Sequence, residues 1–137
     1  MVAYSFQKQF AMPILEGTKG GTIRANRKRH AHPGEELQLY TGMRTKHCRL
    51  IARKPCLAVT PISLNFKINE WVGIAGVASP IKGARSLDTF AVFDGFSDWA
   101  SLREFWRETH DLAVGSSAAV FRGQHIRWLE LPEALVA

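Results

Sequence analysis

Two cysteines, Cys48 and Cys56, are all that the 137 residues contain, which excludes a disulfide scaffold and a four-cysteine zinc ribbon. Long apolar runs are missing as well. The most apolar stretch, Leu57 to Phe66, is broken by Thr60, Pro61, Ser63 and Asn65. It falls short of the roughly 20 apolar residues that cross a bilayer. The first residues, MVAYSFQKQF, lack a charged start followed by an apolar core, so no signal peptide is expected. The sequence therefore reads as a soluble, cytoplasmic protein with no membrane partner. Repeats, low-complexity tracts and linkers are absent too. With 46% apolar and 22% charged residues, positions 1–137 read as one globular domain that needs no covalent staple to fold.

Acidic residues are scarce where basic ones gather. The chain holds 18 Lys+Arg against 12 Asp+Glu, a formal charge of +6. Between Lys19 and Lys54 ten basic residues are opposed only by Glu35 and Glu36, a local excess of eight, while the remainder is slightly acidic. Such a concentration suits a polyanion; a solvated basic loop without a partner is the plainer alternative. Arg24, Arg27, Lys28 and Arg29 follow a glycine-rich turn, and Arg44 and Lys46 come later. All six are candidate nucleic-acid contacts.

Alternation predicts strands at Val2–Phe6 and Glu36–Tyr40, and an extended path at Thr22–Ile23. Gln7–Glu16 reads as a short helix limited by Pro13 and ended by Gly17, with Gly20-Gly21 as a flexible turn. Strands interrupted at Lys54-Pro55 are expected over Cys48–Val59, then strand and loop over Phe66–Leu87. Thr89–Phe93 reads as a strand. Ser97 or Asp98 starts a helix running to about His110, with Trp99, Leu102, Phe105 and Trp106 as its apolar stripe. Ser101 with Glu104 offers a second cap. At that spacing the two tryptophans belong to the core rather than to a base-stacking pair. A turn at Gly115-Ser116-Ser117 and a closing strand or hairpin around Gly123 complete an α+β pattern, a small, partly open β-barrel with flanking helices.

The chemistry concentrates in Ile14-Leu15-Glu16-Gly17-Thr18-Lys19-Gly20-Gly21-Thr22-Ile23-Arg24. An amine and a hydroxyl three residues apart on a tight turn, followed by a cation, can serve nucleophilic catalysis. A turn whose Thr22 hydroxyl bonds locally to backbone is the plainer reading.

The string resembles the signature of the ASCH domain family, Gly-x-Lys-x-x-(Glu/Thr)-x-Arg after a helix ending in Ile-Leu, through Gly17, Lys19, Thr22 and Arg24. Pro33-Gly34-Glu35-Glu36-Leu37 and Asp94-Gly95-Phe96 are similar to two later elements of that family. The resemblance implies a PUA-like pseudo-barrel of five or six strands with flanking helices. It implies a cleft under the Gly17–Arg24 loop for RNA, single-stranded nucleic acid or a modified nucleoside, and hydrolytic activity on RNA has been proposed for some members. Bacterial relatives are amidohydrolases that deacetylate 4-acetylcytidine. Carried over, their active site becomes Lys19 as proton acceptor, Thr22 as nucleophile and Asp94 as the acid for the leaving amine, with Arg24 holding charge or a ring oxygen. Gly20-Gly21 and Asp94 stand where the small deacetylases have bulkier residues and glutamate, and the chain is longer between Cys56 and Leu87.

No cofactor or metal is expected. His30 and His32 form a pair, and His47 adjoins Cys48, but no third ligand has suitable spacing. The turn also lacks the residue order of a P-loop. Tyr4, Phe6, Tyr40, Phe93 and Phe96 are candidates for stacking on a base, against a plainer role in core or rim.

Overall fold

The protein's structure, a computed structural model, describes residues 1–110 and 120–136. Strand β1 (Val2–Phe6) turns Val2, Tyr4 and Phe6 inward. A single 3-10 turn, Lys8–Phe10, leads into helix α1 (Ala11–Glu16). Pro13 is tolerated there because it lies in the first turn, where a backbone N–H has no helical acceptor. Gly17 closes the helix at φ +81°, a conformation glycine adopts without steric cost.

Seven further strands follow: β2 (Gly21–Arg24), β3 (Glu36–Thr41), β4 (Arg49–Pro55), β5 (Ala58–Asn65), β6 (Trp71–Ile74), β7 (Ile81–Lys82) and β8 (Val120–Arg127). Helices α2 (Ala84–Phe93) and α3 (Trp99–His110) separate the last two strands, and α4 (Glu133–Val136) follows β8. One sheet has the order β1-β3-β4, with β1 and β3 parallel. The other, β2-β8-β5-β6-β7, is antiparallel throughout. The class is α+β, as expected. The described residues form eight strands in two sheets rather than five or six, and neither sheet closes on itself.

Strand alternation explains how the layers stack. Ile62 and Leu64 turn toward Phe90, Leu102 and the tryptophans Trp99 and Trp106, forming the core under α2 and α3. Ile126 turns to the opposite face, where it joins Tyr4, Phe6, Leu37, Leu39 and Ile14. The larger sheet is thus packed on both faces, by helices on one and by the small sheet with α1 on the other. Each fully buried Leu or Phe contributes about 1.5–3 kcal/mol. Helix α3 starts as the sequence predicts. Asp98 Oδ1 accepts from Ser101 N at 2.8 Å, so Asp98 is the cap, and Trp99, Leu102 and Trp106 are buried.

Two local expectations fail, and one alternative is decided. Thr89–Phe93 is the end of α2, not a strand. Its buried residues Leu87, Phe90 and Ala91 repeat at helical spacing, a stripe visible only when the window reaches back to Leu87. Of the two alternatives around Gly123, the closing strand is the one that forms, and β8 runs straight through the glycine. A side chain there would fall on the Arg24 carbonyl oxygen, so glycine serves a close approach between β8 and β2. The break after β4 lies at Cys56-Leu57, two residues beyond Lys54-Pro55. The predicted turn at Gly115-Ser116-Ser117 lies outside the described residues.

Candidate functional site

A cleft of about 280 Å³ opens where the end of β1, the edge strand β2 and the last turns of α3 converge. Lys19, Thr22, Arg24 and Asp94, four of the residues singled out in the sequence, line it together with Phe6, Phe10, Phe96, Phe105 and His110.

Lys19 is set by the loop after α1. Its N–H and that of Thr18 both donate to the Pro13 carbonyl at 3.0 Å, and its own carbonyl accepts from the Trp128 indole at 3.1 Å. Gly20 N donates to the Phe93 carbonyl at 2.9 Å. The pair Gly20-Gly21 is therefore no flexible turn. A methyl on Gly20 would meet Phe93 Cε1 at 2.5 Å, and one on Gly21 would meet His125 Nε2 at 2.8 Å. Bulkier residues cannot stand there while Phe93 and His125 do.

The Lys19 side chain runs inward to Asp94, the residue that closes α2. Its Nζ donates to the Asp94 carbonyl and lies 3.6 Å from Asp94 Oδ1. Gly95, at φ +101°, makes room: a methyl on it would meet Lys19 Cδ at 2.7 Å. Both partners are almost fully buried. Asp94 Oδ1 accepts no hydrogen bond from the described residues and is held by Coulomb attraction alone. Burial therefore dominates. It raises the Asp94 pKa to about 6 against the opposing pull of Lys19, and it lowers that of Lys19. The faces of Phe6 and Phe10, 5.5 and 5.0 Å from Nζ, stabilise the ammonium further.

Thr22 and Arg24 point to the same side of β2. Arg24 Nε donates to Thr22 Oγ1 at 3.1 Å, and Nη2 donates to the Ser5 carbonyl at 2.7 Å, tying the edge of β2 to that of β1. Burial lowers the Arg24 pKa from its ordinary value. The Thr22 hydroxyl thus bonds to a side chain rather than to backbone. Among the described residues no hydrogen bond joins it to Lys19. A bond accepted from a guanidinium stabilises negative charge on Oγ1 while leaving the hydroxyl proton free to be donated.

The remaining basic candidates are distributed differently. Arg27, Lys28 and Arg29 are exposed in the loop after β2. Arg29 is neutralised by Glu35 at 2.6 Å, and Arg53 meets Glu36 at 3.4 Å. Arg27 and Lys28 have no acidic partner among the described residues. Arg44 and Lys46 are exposed in the β3–β4 hairpin tip. Because Phe6 pairs with Thr41, that tip leaves the sheet at the end of β1 that borders the cleft. Of the aromatic candidates, Phe6 and Phe96 line the cleft, whereas Tyr40 donates to Gln38 away from it. Trp99 and Trp106 are core, as expected.

Sequence reading missed His110 and His125. Thr109 Oγ1 donates to the Phe105 carbonyl and so accepts from His110 Nδ1 at 2.8 Å, which makes Nε2 the ring's acceptor nitrogen, without a partner among the described residues. Partial burial lowers the His110 pKa, so the ring lines the cleft in neutral form near pH 7. Its stacking on Trp106, four residues earlier, was the available signal. His125 is fully buried on β8 behind the Gly20-Gly21 loop, with neither ring nitrogen hydrogen-bonded among the described residues. Comparison with family models, with curated proteins and with solved structures finds no match to this chain.

Proposed function

We propose that this chain is an ASCH-type, PUA-like domain that binds RNA or single-stranded nucleic acid, with one nucleotide in the cleft beside β2. One observation carries the reading. The cleft wall at Arg24-Ala25 continues directly into Asn26-Arg27-Lys28, whose two cations lack acidic partners among the described residues. Aromatic walls beside a cationic rim suit an unstacked base with its backbone outside. Two sheets with flanking helices are compatible with the family's fold. Binding of a short single-stranded RNA across a salt series tests it. Affinity should fall by about 0.7 log per neutralised phosphate for each tenfold rise in salt. A flat response, or binding unchanged after Arg27, Lys28 and Arg29 are all made Ala, contradicts it.

A second reading, an amidohydrolase acting on 4-acetylcytidine or a related amide, is favoured by Lys19, Thr22 and Asp94 lining one cleft. Thr22 Oγ1 would attack the amide carbon, assisted by Arg24. Lys19, whose burial favours the neutral amine, would take the hydroxyl proton. Asp94, protonated below about pH 6, would protonate the leaving amine, and water would then release acetate from Thr22. Turnover surviving both Lys19→Ala and Thr22→Ala would rule this assignment out.

A further inference from the structure

Two guanidinium groups at the cleft mouth share one aromatic platform. Arg24 Cζ lies 5.4 Å and Arg27 Cζ 4.8 Å from the centroid of the Tyr4 ring. The platform is fixed. Tyr4 is 2% exposed, and its oxygen accepts from Ala31 N at 3.3 Å and lies 2.8 Å from His30 Nδ1. His30 Nε2 is 2.9 Å from the Ala25 carbonyl, which can only accept. The neutral ring therefore carries its proton on Nε2, and the Tyr4 hydroxyl donates to Nδ1.

Both arginines are held by part of their donor set and keep the rest. Arg24 uses Nε on Thr22 and one Nη2 proton on Ser5. Arg27 uses Nε on the Arg29 carbonyl at 2.8 Å. Neither meets a carboxylate at ion-pair distance among the described residues, whereas Lys19, Arg29, Arg53 and Arg103 each do. Two like charges on one ring repel each other, and an aromatic face offsets only part of that cost. Orientated guanidinium donors with no internal acceptor are complementary to phosphate oxygens.

Position identifies which phosphate. Arg24 lines the cleft, and Arg27 lines an adjoining shallow groove with Asn26, His32 and Gln124; only Ala25 and Asn26 separate them in the chain. A nucleoside filling the cleft leaves Arg27 idle, whereas a phosphate on it reaches both arginines. We propose that Arg24 and Arg27, set by Tyr4, clamp the phosphate of the nucleotide whose base enters the cleft, so that the site selects nucleotides over free nucleosides. This rests on the nucleotide-binding reading above.

Calorimetric titration with cytidine, cytidine 5′-monophosphate and a short oligocytidine tests the clamp and tells a terminal phosphate from a chain link. The wild type should bind at least one of the two phosphorylated probes about tenfold or more tighter than cytidine, the scale of a charged hydrogen bond. Arg27→Gln should remove most of that gain and leave cytidine affinity unchanged. Tyr4→Phe, which keeps the ring but frees it from His30, should reduce the gain in part. A phosphate gain undiminished in Arg27→Gln overturns the clamp while sparing the nucleic-acid reading, as does an Arg27→Gln loss shared equally by cytidine. Equal affinity for all three probes removes the phosphate contacts that both readings need. Failure of all three to bind overturns both.

Discussion

The Lys19 ammonium meets the Asp94 carboxylate at 3.6 Å across a sequence separation of 75 residues, and both side chains are almost fully buried. Removing one member of such a buried pair costs about 3–5 kcal/mol because the other charge is left unpaired. Asp94 can escape that penalty by taking a proton. Lys19→Met should therefore destabilise strongly at about pH 8 and clearly less at about pH 5, below the raised Asp94 pKa. Urea unfolding at the two pH values measures the difference; an equal loss at both would locate the effect in packing rather than charge.

Asp94 and His125 pull the pH dependence in opposite directions. The Asp94 pKa rises on folding from 3.8 to about 6, so the folded chain holds an extra proton between those values. Its contribution is full below the lower value and is lost as pH rises through the higher one. Burial lowers the His125 pKa from 6.5 to about 3, so the unfolded chain binds that proton first. Stability from this group falls as pH drops below 6.5. Asp94→Asn should leave a curve that climbs with pH from about 4 to 6, and His125→Leu one that descends. Parallel curves from the two variants would contradict the assignment.

Loop glycines should respond unequally to alanine. Gly20→Ala drives a methyl into Phe93 and Leu129, at 2.5 and 2.8 Å, and should cost about 1–3 kcal/mol as overpacking while weakening ligand binding through Lys19. Gly17→Ala meets nothing within 4 Å and should cost only the left-handed backbone term, about 1 kcal/mol. Thermal unfolding ranks the two, and nucleic-acid binding should fail to follow stability only in the first.

Arg29 is expected to differ from its neighbours on nucleic acid. Its pairing with Glu35 at 2.6 Å already satisfies its charge. Arg29→Ala should leave the salt slope of RNA binding nearly unchanged, whereas each of Arg27→Ala and Lys28→Ala should lower it by about 0.7. Equal slopes for all three variants would show that the ion pair does not decide the contact.

Much of the site was legible because one short segment carries it. Gly17, Lys19, Thr22 and Arg24 lie within eight residues, and local rules for helix ends and strands place them. Asp94 joined them only through resemblance, since no local pattern brings the end of α2 to the start of β2. Thr89–Phe93 was misread because Thr89, Val92 and two phenylalanines favour strand, and tertiary packing along Leu87, Phe90 and Ala91 overrides that preference. Gly20 and Gly21 read as turn residues in the sequence, and Gly123 as the middle of a strand or a hairpin. Their role is to admit Phe93, His125 and the Arg24 carbonyl, neighbours that a linear pattern does not contain.

Lys19, Thr22, Arg24 and Arg27 all belong to the connection between the parallel strands β1 and β3, and among the described residues β1 is an edge strand paired with β3 alone. Detachment of β1 would remove Tyr4, Ser5 and Phe6 from the site in one event. Ligand affinity and the opening equilibrium of that strand are therefore thermodynamically linked. A nucleotide held at the cleft should slow amide hydrogen exchange along Ala3–Phe6, the strand whose Ser5 carbonyl holds Arg24 in place.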